Sequence, residues 1–152
     1  NHPKWMAEEM LKDGVDDYRV IVIAFLHDCP EDTAIFGNQL TEGYKTAALD
    51  YDFRLSRMFD NETAQDIIVL TLPLANPDDE QFSSKEKCLK KKKKDLEAFA
   101  SFRASFAKLY DRFHNMKSIR KAKSRKTILR KIEETENFYF PFFINCYIFS
   151  HL

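Results

Sequence analysis

The sequence predicts an all-α fold, a compact bundle of several helices. Apolar residues recur at helical spacing over long stretches, most clearly from Lys85 to about Lys121. Capping residues, prolines and glycines stand where such stretches begin and end. The chain has 152 residues, 44% of them hydrophobic, which is enough for the core of one domain. We therefore expect residues 1–152 to fold as a single domain.

A first helix is predicted directly after the start of the chain. Pro3 is suited to its first turn, because a proline there loses no helical hydrogen bond. Gly14 is typical of the residue that ends a helix. His2 is therefore expected at the entrance of this helix.

A second helix is predicted from Asp16 or Asp17, either of which can cap it. Its segment Val20 to Leu26 is almost wholly apolar, and Pro30 prevents continuation beyond His27 to Cys29. A buried strand is the alternative, since the segment is rich in β-branched residues, but its length and flanking residues favour a helix. A buried helix is thus expected to end in polar residues.

Two further helices and a loop are predicted in the middle of the chain. Tyr44 to Phe59 has apolar residues at roughly helical spacing, and Glu62 to Leu72 is a more strongly apolar helix. Pro73 to Phe82 contains two prolines and three consecutive acids, which is typical of a solvated loop. The apolar residues of the first of these helices are Leu49, Phe53, Leu55 and Met58.

The longest helical region follows a cap at Ser83 or Ser84 and is expected to contain one break at most. The five lysines Lys90 to Lys94 within it are expected to form a solvated helix face, with a polyanion patch or nuclear signal as the alternative. An apolar stripe is predicted along the region, made of Leu89, Leu96, Phe99, Phe102, Phe106, Leu109 and Phe113.

The last clear helix is predicted from Ser124 to Tyr139. Phe138 to Phe149 is very apolar but short, and it is expected to be a core or partner-contact helix, with a membrane or oligomer surface as the alternative. A homo-oligomer is therefore left open. The helix is expected to turn Ile128, Leu129 and Ile132 inward and Glu133, Glu134 and Glu136 outward.

The charge balance argues against nucleic-acid and membrane partners, and the cysteine content argues against a disulfide or zinc-knuckle protein. Lys plus Arg equals Asp plus Glu, at 24 each, so no global field favours nucleic acid or an anionic membrane. The three cysteines are scattered without a CxxC pair, which indicates neither a disulfide framework nor a zinc knuckle and fits a reducing cytoplasm. No signal peptide and no membrane span is predicted.

Polar residues with ligand chemistry cluster where the second helix ends. His27 and Asp28 offer a nitrogen and an oxygen donor that can reach one cation. Glu31 and Asp32 follow within one turn, where a metal site for hydrolysis would need groups that move protons. A bare His-Asp pair can equally be a hydrogen-bonded helix end, so the whole cluster carries the prediction.

A second polar group is predicted on the long helix. Lys108, Asp111, Asn115 and Ser118 follow at spacings of three, four and three residues, which puts them on one helix face. That face lies beside the apolar stripe, so the helix could line a pocket. A stripe exposed to solvent is the alternative.

These motifs together resemble the HD-domain hydrolases of the RelA/SpoT type, which act in the stringent response. The order is His2-Pro3, then His27-Asp28 with Glu31-Asp32-Thr33, then the run from Lys108 to Met116, KLYDRFHNM. They are similar to the family's THP, HDxxEDT and KLADRxHNM segments. Phe59 to Ala64 and the segment from Glu134 to Pro141 also resemble family segments, so the likeness covers most of the chain.

The resemblance implies an HD-domain bundle with a metal site between its helices. It implies one divalent ion, typically manganese in this family. Glu31 and Asp32 would orient or activate the attacking water. The implied metal ligands are His2, His27, Asp28 and Asp111.

The resemblance also implies contacts to the substrate. Asn115 and Ser118 would face the nucleotide, and Lys108 is counted with them as a substrate-binding residue. Lys108 and Arg112 would serve as structural charges or as charges at the rim of the pocket. His114 and Met116 belong to the motif, but helical geometry points them away from Asp111, so packing is expected of both.

The implied reaction is removal of the 3′-pyrophosphate from guanosine tetra- or pentaphosphate by a stand-alone small alarmone hydrolase. The family places a helix before the THP histidine, whereas here Asn1 precedes His2, so either the sequence is trimmed there or that helix and its pocket wall are missing. Ala34 to Met58 is longer than the usual link, and Leu72-Pro73 replaces a common lysine. Another phosphorylated nucleotide or cofactor, or nucleotide binding without catalysis, are the alternatives.

Overall fold

The fold is entirely helical in the computed structural model, which describes residues 2–122 and 124–150, with side chains up to residue 148. The all-α prediction is therefore confirmed over these ranges. The expectation of a missing helix before His2 concerns the start at Asn1, which lies outside the described residues. The helices are α1 (His2–Lys12), α2 (Tyr18–Leu26), α3 (Cys29–Asp32), α4 (Gln39–Glu42), α5 (Tyr44–Met58), α6 (Asn61–Leu70), α7 (Lys85–Phe99), α8 (Phe102–Lys117), α9 (Arg125–Glu134) and α10 (Phe140–Ser150).

The ends of α1 and α2 lie where local sequence signals predict them. Gly14 has a φ of 83°, a left-handed backbone conformation that favours glycine, just after α1 ends. The Asp17 carboxylate accepts a hydrogen bond of 2.9 Å from the N–H of Arg19 and so caps α2. His27 is the C-cap of α2, and Pro30 lies in the first turn of the next short helix. The segment is a helix, so the strand alternative is wrong.

Helix α2 is the centre of the bundle. It packs against α1, α6 and α8, while α5 covers α6 from the other side. Each Å² of apolar surface that these contacts remove from water stabilises the fold by about 25 cal/mol. The most deeply buried large side chains are Met6, Met10, Ile23, Tyr51, Leu55, Ile67, Leu70 and Leu96.

Helix α5 has the predicted length but a different inner face. Of the four predicted apolar residues only Leu55 is buried, whereas Leu49 is 72% exposed. The buried face carries Ala47, Tyr51 and Leu55, spaced four residues apart. Tyr51 is accommodated there because its hydroxyl donates a 3.0 Å hydrogen bond to the carbonyl of Pro30. The buried face therefore includes Tyr51, whose hydroxyl has a buried partner, and leaves more apolar residues of α5 exposed.

The long helical region divides into α7 and α8 at Ala100 and Ser101. Ser84 caps α7 and Ser101 caps α8, each by accepting a backbone N–H. The predicted apolar stripe forms the inner face only in part, because Leu96 is buried whereas Phe99 is 75% and Phe113 51% exposed. The buried residues of α8 are instead small or charged: Ala104, Ser105, Ala107, Lys108, Asp111 and Arg112.

The predicted helix from Ser124 to Tyr139 is interrupted. Helix α9 ends at Glu134, and a π-helical turn, Thr135–Tyr139, leads into α10. Arg112 contacts the chain where the π-helical turn begins: its guanidinium donates to the Lys131 carbonyl (3.0 Å) and to the Thr135 hydroxyl (2.8 Å). A side chain that enters the backbone ladder in this way is a usual cause of such a bulge.

Two predicted orientations in α9 are wrong. Leu129 is 49% exposed instead of inward. Glu134 is half-buried instead of outward, because it accepts a 3.0 Å ion-paired hydrogen bond from Arg112. The ion pair with Arg112 on α8 accounts for the inward position of Glu134.

The aromatic C-terminal segment contributes in part to the core. Tyr139 and Phe142 are buried, whereas Phe140 and Ile144 are more than half exposed. None of the helices within residues 2–122 and 124–150 is long and apolar enough to cross a membrane. The cysteines Cys29, Cys88 and Cys146 are all free thiols.

Candidate metal centre

The first histidine of the site is held at the start of α1. His2 Nε2 lies 3.0 Å from Asp111 Oδ1, and its Nδ1 lies 2.8 Å from Nδ1 of His114. If the proton of neutral His2 is on Nδ1, it is donated to His114 and the lone pair of Nε2 is left for a metal. Trp5 covers His114 with a ring-centroid distance of 4.6 Å. Contacts with α8 thus fix His2.

The second histidine is positioned by the end of α2. His27 is 3% exposed, and its Nδ1 donates a 2.9 Å hydrogen bond to the carbonyl of Ala24. Because a carbonyl only accepts, Nε2 of the neutral ring carries the lone pair. Nε2 is a buried nitrogen without a hydrogen-bond partner among the described residues. A backbone-anchored imidazole with a free nitrogen is the usual form of a histidine ligand.

Asp28 adds an oxygen beside that nitrogen. Its Oδ1 lies 3.0 Å from His27 Nε2, close enough for both atoms to bind one ion. Burial alone would raise the pKa of Asp28, yet the adjacent His27 lowers it below its usual value. Burial lowers the pKa of His27 in turn, and Asp28 more than offsets this by raising it. A shared cation would suit this pair of donors.

The third potential ligand comes from the inner face of α8. Asp111 Oδ2 accepts a 2.5 Å hydrogen bond from Lys108, while Oδ1 accepts one of 2.8 Å from Asn115 Nδ2 and contacts His2. Burial acts to raise the pKa of Asp111, but the Lys108 ammonium holds it well below its usual range. Asp111 is therefore an ionised, anchored carboxylate whose Oδ1 points to the histidine side of the site.

These three side chains form a group that can hold one metal ion. One ligand atom from each of His2, His27 and Asp111 lies within 4.8 Å of the others. Two ligands about 2.1 Å from one ion are about 3.0 to 4.2 Å apart, so the donor set fits a single divalent cation after small movements. Asp28 touches His27 but lies outside that group, so its role as the fourth ligand stays a prediction.

No known protein family, curated protein or solved structure matches this chain. What the site can do therefore rests on its own residues. The donor set of two imidazoles and one buried carboxylate mixes the ligand types that zinc, iron and manganese accept.

The predicted acid and base residues, Glu31 and Asp32, lie on the short helix α3, which directly follows His27 and Asp28. Glu31 Oε1 accepts a 2.6 Å hydrogen bond from the N–H of Leu72 and lies 3.3 Å from Lys92 Nζ. Asp32 is exposed. Both line a cavity of about 380 Å³ with Thr33, in which a substrate group could lie against them.

The residues predicted to contact substrate have different positions. Asn115 donates to Asp111, so it adjoins the ligand group. Ser118 ends α8, where its hydroxyl donates to the carbonyl of Asn115 at 3.2 Å. Lys108 is buried against Asp111 and the ring of Tyr139, and its assignment to the substrate-binding residues stays a prediction. A buried ammonium that an adjacent carboxylate neutralises has little capacity left for a ligand.

Two residues near the site were not predicted to be there. His114 was expected to point away and pack, yet its ring hydrogen-bonds His2. Met116 does pack away from the site, where Thr135 donates to its sulfur. Lys92, from the lysine run expected to be a solvated face, is only 12% exposed. The sequence signal for His114 was its spacing of three residues from Asp111, whereas nothing local separates Lys92 from its neighbours.

We expect the burial of Lys92 to make stability depend on pH. Burial, with repulsion from Lys108 adding to it, lowers the pKa of Lys92 from 10.5 to about 8. Between these values the unfolded chain holds the proton and the folded chain does not, so stability rises with pH and is lost as pH falls through about 8. The change is at most about 3 kcal/mol.

Denaturant unfolding at pH 7 and pH 10 of the parent protein and Lys92→Met tests this. Between pH 7 and pH 10 the free energy of unfolding should increase more in the parent protein than in the variant, because the two proteins share all other titrating groups. Equal pH dependence in the two proteins would show that Lys92 is hydrated in solution.

Proposed function

We propose that the chain is a metal-dependent phosphohydrolase. The observation that carries the proposal is the convergence of His2, His27 and Asp111 ligand atoms within 4.8 Å of one another. Glu31 and Asp32, which follow His27 by four and five residues, add carboxylates on α3 that line a cavity of about 380 Å³. Metal ligands beside groups able to move protons are the parts that hydrolysis of a phosphate ester needs.

The division of tasks follows from the contacts. A bound ion would supply a lowered pKa for a water molecule and charge to offset that of a phosphoryl group. Ala24 holds the ring of His27, and Lys108 holds the carboxylate of Asp111, so both ligands are oriented before any ion arrives. Glu31, fixed through one oxygen by Leu72, is the residue suited to take the proton of the attacking water.

The proposed substrate is guanosine tetra- or pentaphosphate, and the proposed ion is manganese. The support is the order of motifs, which resembles the RelA/SpoT-type hydrolases from His2 through KLYDRFHNM. Water would add to the 3′-diphosphate, releasing pyrophosphate and a guanosine nucleotide with a free 3′-hydroxyl. The free thiols of all three cysteines support a reducing compartment, and we propose the cytoplasm.

Product analysis tests the proposal. The purified chain is incubated with manganese and guanosine tetraphosphate, and the products are separated by ion-exchange chromatography. We expect pyrophosphate, no product after chelation, and none from the variant carrying His27→Ala and Asp28→Ala. Orthophosphate from another phosphorylated nucleotide would assign a different phosphohydrolase, and nucleotide binding without turnover would assign a binding domain.

A further inference from the structure

One lysine of the five-lysine run differs from the others. The side chain of Lys92 is 12% exposed, and its Nζ lies 3.3 Å from Oε1 of Glu31 on α3. Lys90 and Lys94 are exposed on the same helix. Lys91 and Lys93 pair with carboxylates at the surface of the bundle. The helix therefore directs a single ammonium of the run toward the candidate site.

The carboxylate that Lys92 meets is anchored on one side only. Glu31 Oε1 receives both the Lys92 ammonium and the N–H of Leu72, at 3.3 and 2.6 Å. The other oxygen, Oε2, makes no hydrogen bond within the described ranges, although Glu31 lines the 380 Å³ cavity with Asp32. Such an arrangement fixes the direction of the carboxylate and keeps one oxygen free for chemistry.

Stability does not explain why this lysine is buried. Taking an ammonium out of water costs free energy that an ion pair at 3.3 Å only partly offsets, and Lys108 nearby repels it. A leucine or methionine would fill the same space without that cost. A buried charge that does not stabilise the fold is more readily explained by what it does to its partner.

We propose that Lys92 is the positioning residue of the site, which holds the Glu31 carboxylate in the direction needed to accept the proton of the attacking water. This inference rests on the proposed function, because it assigns Glu31 its task there. Lys92 touches Glu31 and not the ligand group of His2, His27 and Asp111. Its loss should therefore lower the rate of the chemical step and leave metal and substrate binding intact.

Steady-state kinetics with manganese and guanosine tetraphosphate test the proposal. We expect Lys92→Met to lower kcat by about 10- to 100-fold, with KM changed by less than about twofold. Lys92→Arg, which keeps a donor and a charge, should recover most of the rate. Lys94→Met, an exposed lysine two positions away on the same helix, should match the parent protein.

A double variant shows whether Lys92 acts through Glu31. If it does, Lys92→Met should cost little more once Glu31→Gln is present, because the two changes remove one function. Losses that multiply, or a raised KM with kcat unchanged, would overturn the proposal, since Lys92 would then contact the phosphorylated substrate itself.

Manganese binding by calorimetry supplies a readout independent of turnover. We expect Lys92→Met to bind manganese alone with the affinity of the parent protein, and a large loss would overturn the proposal by placing Lys92 in support of the metal ligands. A parent protein that hydrolyses no phosphorylated nucleotide would sink the proposed function and the role of Lys92 together. An active parent with an equally active Lys92→Met variant would sink the positioning role alone.

Discussion

Replacement of His27 by alanine should remove tight binding of a divalent ion and lower turnover by about a thousandfold or more. The reason is geometric, because His27 supplies the one buried nitrogen of the cluster that has no hydrogen-bond partner among the described residues. The charge stabilisation that a metal gives is worth several kcal/mol, and each 1.4 kcal/mol is about a factor of ten in rate. Calorimetry with manganese and the pyrophosphate assay measure the two effects.

The same variant should remain folded. It loses the hydrogen bond from Nδ1 to Ala24 and leaves a small cavity, which we expect to cost about 1 to 3 kcal/mol in free energy of unfolding. Thermal unfolding without metal would show this. Cys29→Ala, a half-buried thiol two positions along the chain, is the matched control and should bind manganese normally. Undiminished manganese binding by His27→Ala would contradict the metal centre.

Substitution of Asp28 tests whether the site has four metal ligands or three. Asp28→Ala should abolish activity if its carboxylate is the fourth ligand, as the sequence predicts, although it lies only beside His27 in the structure. A variant that keeps manganese affinity but loses part of its rate would show that Asp28 orients His27 instead. The three remaining ligand atoms would then hold the ion.

Local signals were sufficient for the positions of the helix ends that carry the site. A cap at Asp17 and a proline at Pro30 place His27 and Asp28 at the end of a buried helix, and the structure has them there. The signals are local because capping and proline geometry act within one turn. The fold class follows from the same patterns and is confirmed.

The inner faces of the helices could not be predicted in the same way. In α8 the aromatic residues suggested one face, but the buried face carries Lys108, Asp111 and Arg112. Each of these charges is buried because it has a partner in tertiary structure or on its own helix, Arg112 with Glu134 and Lys108 with Asp111. Hydrophobic periodicity contains no information about such partners. The same reason explains why Lys92 could not be distinguished from Lys90 or Lys94.

The second large effect is expected from the Asp111–Lys108 pair. The ammonium of Lys108 lies 2.5 Å from Asp111 Oδ2, and both side chains are about one-tenth exposed. Burial acts to lower the pKa of Lys108, but the Asp111 carboxylate raises it, so the lysine stays charged. Asp111→Ala would leave that charge buried without a partner. We expect the free energy of unfolding to fall by about 3 to 5 kcal/mol in metal-free protein.

A second substitution separates this stability role from the role in metal binding. Adding Lys108→Met to Asp111→Ala removes the unpaired charge, so most of the lost stability should return, whereas manganese binding should not. The control is Asp95→Ala, which breaks a lysine–aspartate pair on α7 whose side chains are 22 to 32% exposed, and it should cost less than about 1 kcal/mol. Urea unfolding in the presence of a chelator measures all three. A loss below about 1 kcal/mol for Asp111→Ala would mean that water reaches Lys108 and that the inner face of α8 is open.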